Sequence, residues 1–180
     1  MKKFVLIIFF EILLSQSLVE INLDNSYISY DGKHPAHNWT GVSNEIQGYF
    51  ELNSKDLTKS KIDLAIPVFS FDSKNASRDS NMLDVVEEYY YPYVRFTSTK
   101  IEEKNNEFQV TGNIIFHGIT KEFIIPVSFT KEDKNVIVNS DFSIMLTDFK
   151  IKRPSLLTIK IRNKVDIKVY LEGSIYLKSN

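Results

Sequence analysis

From about Val19 onward, apolar and polar residues alternate with a period of two, the repeat of strands with one dry face and one wet face. Between Lys61 and Phe69, the residues Ile62, Leu64, Ile66 and Val68 share a face. The same pattern joins Phe108, Val110, Gly112, Ile114 and Phe116, then Phe123, Ile125, Val127 and Phe129, then Val136, Val138, Phe142 and Ile144. It is clearest at the end, where Val165, Ile167, Val169, Leu171, Gly173, Ile175 and Leu177 oppose Asp166, Lys168, Glu172 and Ser174. Turn formers punctuate these runs at Asp31-Gly32-Lys33, Asn53-Ser54-Lys55-Asp56, Lys104-Asn105-Asn106, Gly118 and Glu132-Asp133-Lys134-Asn135. The count is about eight antiparallel strands, which suggests an up-and-down barrel or a sandwich. Several are long, and long alternating strands favour closure into a barrel, because a closed sheet has no exposed edge.

One stretch breaks the period. Ser77 can cap a helix, and Asp79 suits the positive end of its dipole. Met82, Val86 and Tyr89 then fall at helical spacing, and Pro92 stops the run. The expectation is an all-β chain with one helical excursion over about residues 77–91, placed at a barrel mouth.

Composition narrows the class. A chain of 180 residues, 43% hydrophobic, reads as one domain with one core. The 13 Phe and 9 Tyr suit pleated, half-buried surfaces. A net charge of -1 supplies no global reason to bind nucleic acid or an anionic membrane. The absence of cysteine excludes disulfides, thiolate metal sites and lipid attachment through an N-terminal cysteine. The first 17 residues have the layout of a secretory signal peptide: basic Lys2 and Lys3, an apolar stretch from Phe4 to Leu14 broken by Glu11, and small residues at Ser15 and Ser17. The apolar run is too short for a membrane anchor, which needs about 20 residues. The expected mature domain is 18–180, periplasmic or secreted after cleavage near Ser17.

Candidate chemistry is sparse. His34 and His37 are spaced H-x-x-H in HPAHNWTG, and His117 is the only other histidine. Zinc would need all three to converge or a further ligand. They read instead as hydrogen-bonding and packing groups, the first two with Trp39 beside a turn at Gly41, and His117 tying down a hairpin. No metal site, acid–base pair or Ser-His-Asp set is expected. Asn38-Trp39-Thr40 and Asn75-Ala76-Ser77 match the glycosylation acceptor pattern and read as chance. At the helix start, Arg78 and Asp79 stand beside Asp72, Ser73 and Asn75. They could hold an anionic head group, or could pair with each other and with loop backbone. The inward Phe, Ile and Val could equally fill a barrel or line a tube.

The order and spacing of several short elements resemble the YceI-like family. They are HPAHNWTG; Ser70-Phe71-Asp72-Ser73 followed by Asn75, Arg78, Asp79 and Met82; Tyr91-Pro92 before Phe96; Gly112 with His117, Gly118, Thr120 and Lys121; TDFKIKRPSLL from Thr147 to Leu157; and Leu171-Glu172-Gly173. Asn81 stands where many members carry a histidine, which puts in doubt a head-group contact there. The resemblance implies a lipocalin-like eight-stranded antiparallel barrel. It implies non-enzymatic binding, storage or transport of a long isoprenoid lipid, of polyprenyl phosphate or quinone type. A fatty acid or amide as cargo, or a ligand-free interaction barrel, is the alternative. The implied apolar cavity takes in Phe71, Met82, Val86 and Phe96, then Val110, Ile114 and Phe116, then Phe123, Ile125 and Val127, then Ile167 and Val169. Arg78, Asp79 and Asn81 would stand at the mouth. The implied partner is the lipid, with no cofactor, and a homodimer is compatible with the family.

Overall fold

The computed structural model describes residues 16–104, 107–156 and 158–177. Residues 1–15 of the expected signal peptide therefore lie outside the described residues, as do Asn105 and Asn106 of one expected turn. The first strand, β1 (Gln16–Ile21), is followed by β2 (Tyr27–His34), β3 (His37–Ser43), β4 (Gln47–Asn53) and β5 (Lys61–Pro67). A helix, α1 (Ala76–Val85), separates these from β6 (Tyr93–Lys104), β7 (Glu107–Phe116), β8 (Ile119–Glu132) and β9 (Asn135–Met145). A small hairpin of β10 (Ser155–Leu156) and β11 (Ile159–Lys160) precedes the long closing strand β12 (Lys164–Leu177). No helix among the described residues is long and apolar enough to cross a membrane.

All pairings are antiparallel, and the main sheet closes on itself into a barrel of eight staves. The long β12 closes it, pairing along one edge with β9 from Lys164↔Met145 to Ser174↔Asn135. Its other edge is shared: Gly173 to Leu177 meet β1, and Asp166 to Tyr170 meet β2. So β1 and β2 form one interrupted stave, and β3 and β4 form the next. This explains why strands outnumber staves. An isolated bridge, Val42↔Asp72, and the Ser43–Ser70 hydroxyl contact at 2.6 Å tie the outer edge of β3 to the chain leading into α1.

Two expected turns are misplaced by the alternation. Asp31-Gly32-Lys33 lies within β2, Gly41 lies within β3, and the chain reverses at Pro35 and Ala36 between the paired His34 and His37. Gly32 and Gly41 serve a close approach. They stand opposite Trp39 and Tyr30 across the hairpin, and a Cβ on either would fall 2.2 or 2.3 Å from the facing ring. Between β7 and β8 the turn is as expected. His117 (φ 50°) and Gly118 (φ 69°) are both left-handed, as a two-residue hairpin of the twist-compatible kind requires.

The helical excursion is shorter than its spacing predicts. Its N-cap is Asn75, not Ser77: the Asn75 side chain accepts the Arg78 N–H at 3.0 Å. It ends at Val85, six residues before Tyr91, because Glu87 adopts φ 52°. The Glu88 N–H then donates to Leu83 O (3.0 Å) and the Glu87 N–H to Asp84 O (3.2 Å), the paired bonds of a Schellman stop. Glutamate occupies the position where glycine usually signals such a stop, so the sequence carries no mark of it.

Candidate functional site

Every connection at one end of the barrel carries structure: the β2–β3 hairpin, the 68–92 segment with α1, the His117-Gly118 turn, and the 146–163 segment with its small hairpin. A cavity of about 520 Å³ opens there, within the usual range of roughly 300–1,000 Å³ for small-ligand pockets. Its lining runs from exposed Asn75, Ser77, Asn81 and Ser155 at the rim to buried Val110, Val138 and Leu171 inside. Below the rim the walls are almost wholly aliphatic and aromatic. Ser140 is an exception, and its hydroxyl is already committed to Pro126 O at 2.7 Å. Among the described residues no buried side-chain polar atom lacks a partner.

The half-burial of inward side chains is itself a sign of hollowness. Phe96, Phe116, Val127, Phe142, Ile167 and Val169 point into the barrel, yet each keeps intermediate exposure. In a core packed to crystal density such positions would be sealed by their neighbours. The opposite end is filled instead, with Phe50, Leu52 and Ile101 buried and half-buried Phe108 and Phe129 closing over them. There Phe129 meets Phe50 and Phe108 edge to face, both at 6.3 Å, over Leu52 and Ile101, leaving a gap of only about 30 Å³. Ile62, Val110, Val127 and Val138 border both spaces and form the floor between them.

The predicted apolar positions fall as follows. Phe71, Met82, Val86, Phe96, Val110, Ile114, Phe116, Ile125, Val127, Ile167 and Val169 all line the cavity. Phe123 does not. Its ring lies parallel to Phe149 (4°, centroids 6.2 Å apart) in a cluster behind the wall, with Phe142 6.3 Å away. Alternation put Phe123 on the inward face, and Phe149 from the 146–149 turn then covered it. Phe149 itself is fully buried.

At the mouth Arg78 and Asn81 line the opening, but Asp79 is not among the lining residues. Asp79 and Arg78 grip Ser73 together. The Ser73 N–H and hydroxyl donate to the Asp79 carboxylate, while Arg78 donates from Nε to Ser73 Oγ (2.8 Å) and from Nη2 to Ser73 O (2.6 Å). The loop-fixing arrangement is thus the one present. The guanidinium also lies 5.4 Å from the Trp39 ring centre, in cation–π range. Trp39 rests on Gly32, and Tyr30 rests on Gly41, so the β2–β3 hairpin presents an aromatic shelf to the mouth. Burial pushes the Tyr30 phenol above its ordinary value, and the Trp39 indole beside it pulls the other way.

The histidines hold structure together. His34 Nδ1 accepts the Ala36 N–H at 3.1 Å, so its Nε2 carries the proton and donates to Ile159 O, also at 3.1 Å. That bond fastens the β10–β11 hairpin to the β2–β3 tip. His117 Nδ1 donates to Phe149 O at 2.9 Å, and Nε2 meets Glu87 Oε2 at 2.9 Å. It thereby joins the β7–β8 turn, the 146–149 turn and the end of α1. The three rings do not converge. Among the described residues no group of three or more His, Cys, Asp or Glu side chains could hold a metal.

Sequence reading missed two parts of the lining. Tyr30 and Trp39 were hidden by the misplaced turn. Leu146, Ile151, Pro154 and Ile161 come from a segment with no strand or helix period, and only the fold brings them over the opening.

Comparison with known proteins agrees with this architecture. The profile of the YceI-like domain matches residues 20–173. Protein YceI of Escherichia coli O157:H7 is 24% identical over 137 residues, covering 71% of this chain and 72% of that one. A UPF0312 protein of Photorhabdus laumondii is 25% identical over 120 residues, covering 65% of this chain, and the match spans less than two thirds of that relative, 62%. In three dimensions the chain resembles Burkholderia cenocepacia BcnA, with TM-score 0.79 and 19% identity over 86% of this chain and 100% of that one. It also resembles a polyisoprenoid binding domain from Saccharophagus degradans, with TM-score 0.70 and 12% identity over 91% of this chain and 99% of that one. Closed barrel, helical excursion at the mouth and a match over most of the length lead to one conclusion: the chain belongs to the YceI-like family.

Proposed function

We propose that this protein binds, stores or carries a long isoprenoid lipid outside the cytoplasm and catalyses no reaction. The observation that carries the reading is the apolar cavity of about 520 Å³, open at one end and walled almost wholly by aliphatic and aromatic side chains, several of them only half covered by their neighbours. An apolar chain entering it gains about 0.8 kcal/mol for each methylene taken out of water. That mode of binding needs a dry, elongated space and no polar motif. The name of the structurally similar Saccharophagus domain makes a polyisoprenoid the first cargo to seek.

Native mass spectrometry of the gently purified protein, followed by lipid extraction, tests this. The expected result is a mass increment that extraction assigns to a polyprenyl chain. Protein that emerges empty and also ignores added polyprenyl and acyl chains ends the carrier reading. Recovery of a fatty acid or amide keeps the carrier and changes the cargo.

Export belongs to the same proposal, with residues 1–17 as the signal peptide. Gln16 and Ser17 are paired with β4, and Ser17 is buried. A cut after Ser17 would remove the first two rungs of β1, whereas a cut before Gln16 would leave the strand whole. N-terminal sequencing of the exported protein decides between them, and a mature chain that still begins at Met1 removes the export reading.

A further inference from the structure

The net charge of -1 conceals a strongly uneven distribution. From Lys150 to Lys164 the chain holds six Lys and Arg and no Asp or Glu. This segment leaves the 146–149 turn, forms the β10–β11 hairpin and returns to β12, all at the open end of the barrel. Pro154, Ser155 and Ile161 of the same segment line the cavity mouth.

Two of the six cations are internally engaged. Arg153 turns inward and donates to Ile161 O at 3.2 Å, and Lys164 pairs with Asp166 at 3.3 Å. The other four, Lys150, Lys152, Lys160 and Arg162, are exposed. Among the described residues none of them has a carboxylate within ion-pair distance. Ile159 in β11 is 50% exposed. The hairpin is held in place by the His34 bond to Ile159 O, by Ile161 N–H to Pro154 O (3.0 Å) and by Arg162 N–H to Lys33 O (2.8 Å). Unpaired cations and an exposed apolar side chain thus belong to one segment that is fastened to the barrel end.

We propose that this basic hairpin docks the barrel mouth onto an anionic membrane surface. Phosphate head groups neutralise the four cations, and Ile159 enters the head-group boundary, the combination that holds peripheral proteins on charged bilayers. Neighbouring carboxylates set the orientation. Asp148 precedes the segment and Asp166 follows it, the latter occupied by Lys33 and Lys164. Asp84, Glu87 and Glu88 at the end of α1 carry the opposite charge, and Glu87 is tied through His117 to Phe149 O beside Lys150, so the contact centres on the β10–β11 side of the mouth. An acidic soluble partner could match the charge. A bilayer in addition places the cavity opening against a store of amphiphiles, so the hairpin's position at the mouth favours the bilayer. The proposal stands whichever lipid the cavity takes.

Co-sedimentation of the mature chain with vesicles tests it, using phosphatidylcholine alone and phosphatidylcholine mixed with phosphatidylglycerol. The expected result is binding to the mixed vesicles only, lost as salt is raised. In the triple variant Lys150→Gln, Lys152→Gln, Lys160→Gln the affinity falls on the order of 100-fold, from about fivefold per cation. The double variant Lys131→Gln, Lys134→Gln, at the sealed end, binds as the parent does. Equal binding to both vesicle types, no binding to either, or equal loss in the two variants overturns the proposal. Far-ultraviolet circular dichroism verifies that each variant is folded, and Ile159→Ser, with no change of charge, must weaken binding as well. Native mass spectrometry on the same samples keeps the two ideas apart: a protein that retains lipid but ignores vesicles sinks the docking and leaves the carrier reading standing.

Discussion

The two ends of the barrel are built from the same alternating strands and reach opposite packing states. At the sealed end Phe50, Phe108 and Phe129 meet edge to face over Leu52, and almost no space remains. At the open end inward positions are held by Val, Ile and Phe side chains that reach each other only along the wall. The difference lies in how far side chains cross the axis, not in hydrophobicity. An eight-stranded barrel is wide enough that medium side chains leave a void and facing aromatic rings close it. Stability and capacity are therefore divided between the ends, with a floor of Ile62, Val110, Val127 and Val138 shared by both.

That division can be broken most forcibly at Leu52, which is 1% exposed in the sealed end. Leu52→Ala is expected to lower the unfolding free energy by about 2–5 kcal/mol, because the surrounding rings relax only partly into the gap. Chemical denaturation measures the loss, and lipid stoichiometry per folded molecule stays unchanged. Filling the hollow should do the reverse. Val169 faces the void with intermediate exposure. Val169→Phe should weaken lipid affinity about tenfold, a change of about 1.4 kcal/mol, with stability nearly unaltered. A large destabilisation would mean that the space is smaller than described, since overpacking a full core costs about 1–3 kcal/mol.

A smaller effect is expected at the rim. Asn75→Ala removes the cap of α1 and should cost about 1 kcal/mol. Hydrogen exchange of the helix should rise while the sealed end keeps its protection. The smallest effect concerns acid. Asp166 takes hydrogen bonds from Lys33 (2.6 Å) and Ser143 (2.8 Å) with Lys164 nearby, and these hold its carboxyl well below the usual carboxylate range. A group with a depressed folded-state value contributes in full above its unfolded value, near pH 4, and loses the contribution as pH falls through the folded value. The pair is one-third exposed on both sides, so the contribution is at most about 1 kcal/mol. Asp166→Asn should therefore melt slightly below the parent at neutral pH, and the gap should close in strong acid. A gap that widens in acid would refute the assignment.

Much of the fold was legible. Period-two runs located β5, β7, β8, β9 and β12, because a side chain on a strand faces core or solvent by simple parity. Of the twelve apolar positions implied by the resemblance, eleven line the cavity, those on strands by the same parity and Met82 and Val86 from the helical excursion. Parity failed at Phe123 because it fixes a direction and not what stands in that direction, and Phe149 arrived from 26 residues downstream. It failed in the β2–β3 hairpin because Gly32 was read as a turn former, when its missing side chain makes room for Trp39. The helix end was invisible because a glutamate takes the left-handed position. The basic segment from Lys150 to Lys164 was readable as composition, yet the net charge averaged it away.

The sequence alone marked most of the long strands, the class of fold and the family, since each depends on the local order of residues. Which end is hollow, which aromatic rings close the other, and how the cationic hairpin comes to border the opening were decided only in three dimensions. Those features arise where side chains distant in the chain meet across the barrel axis, and no local spacing encodes the distance between opposite walls.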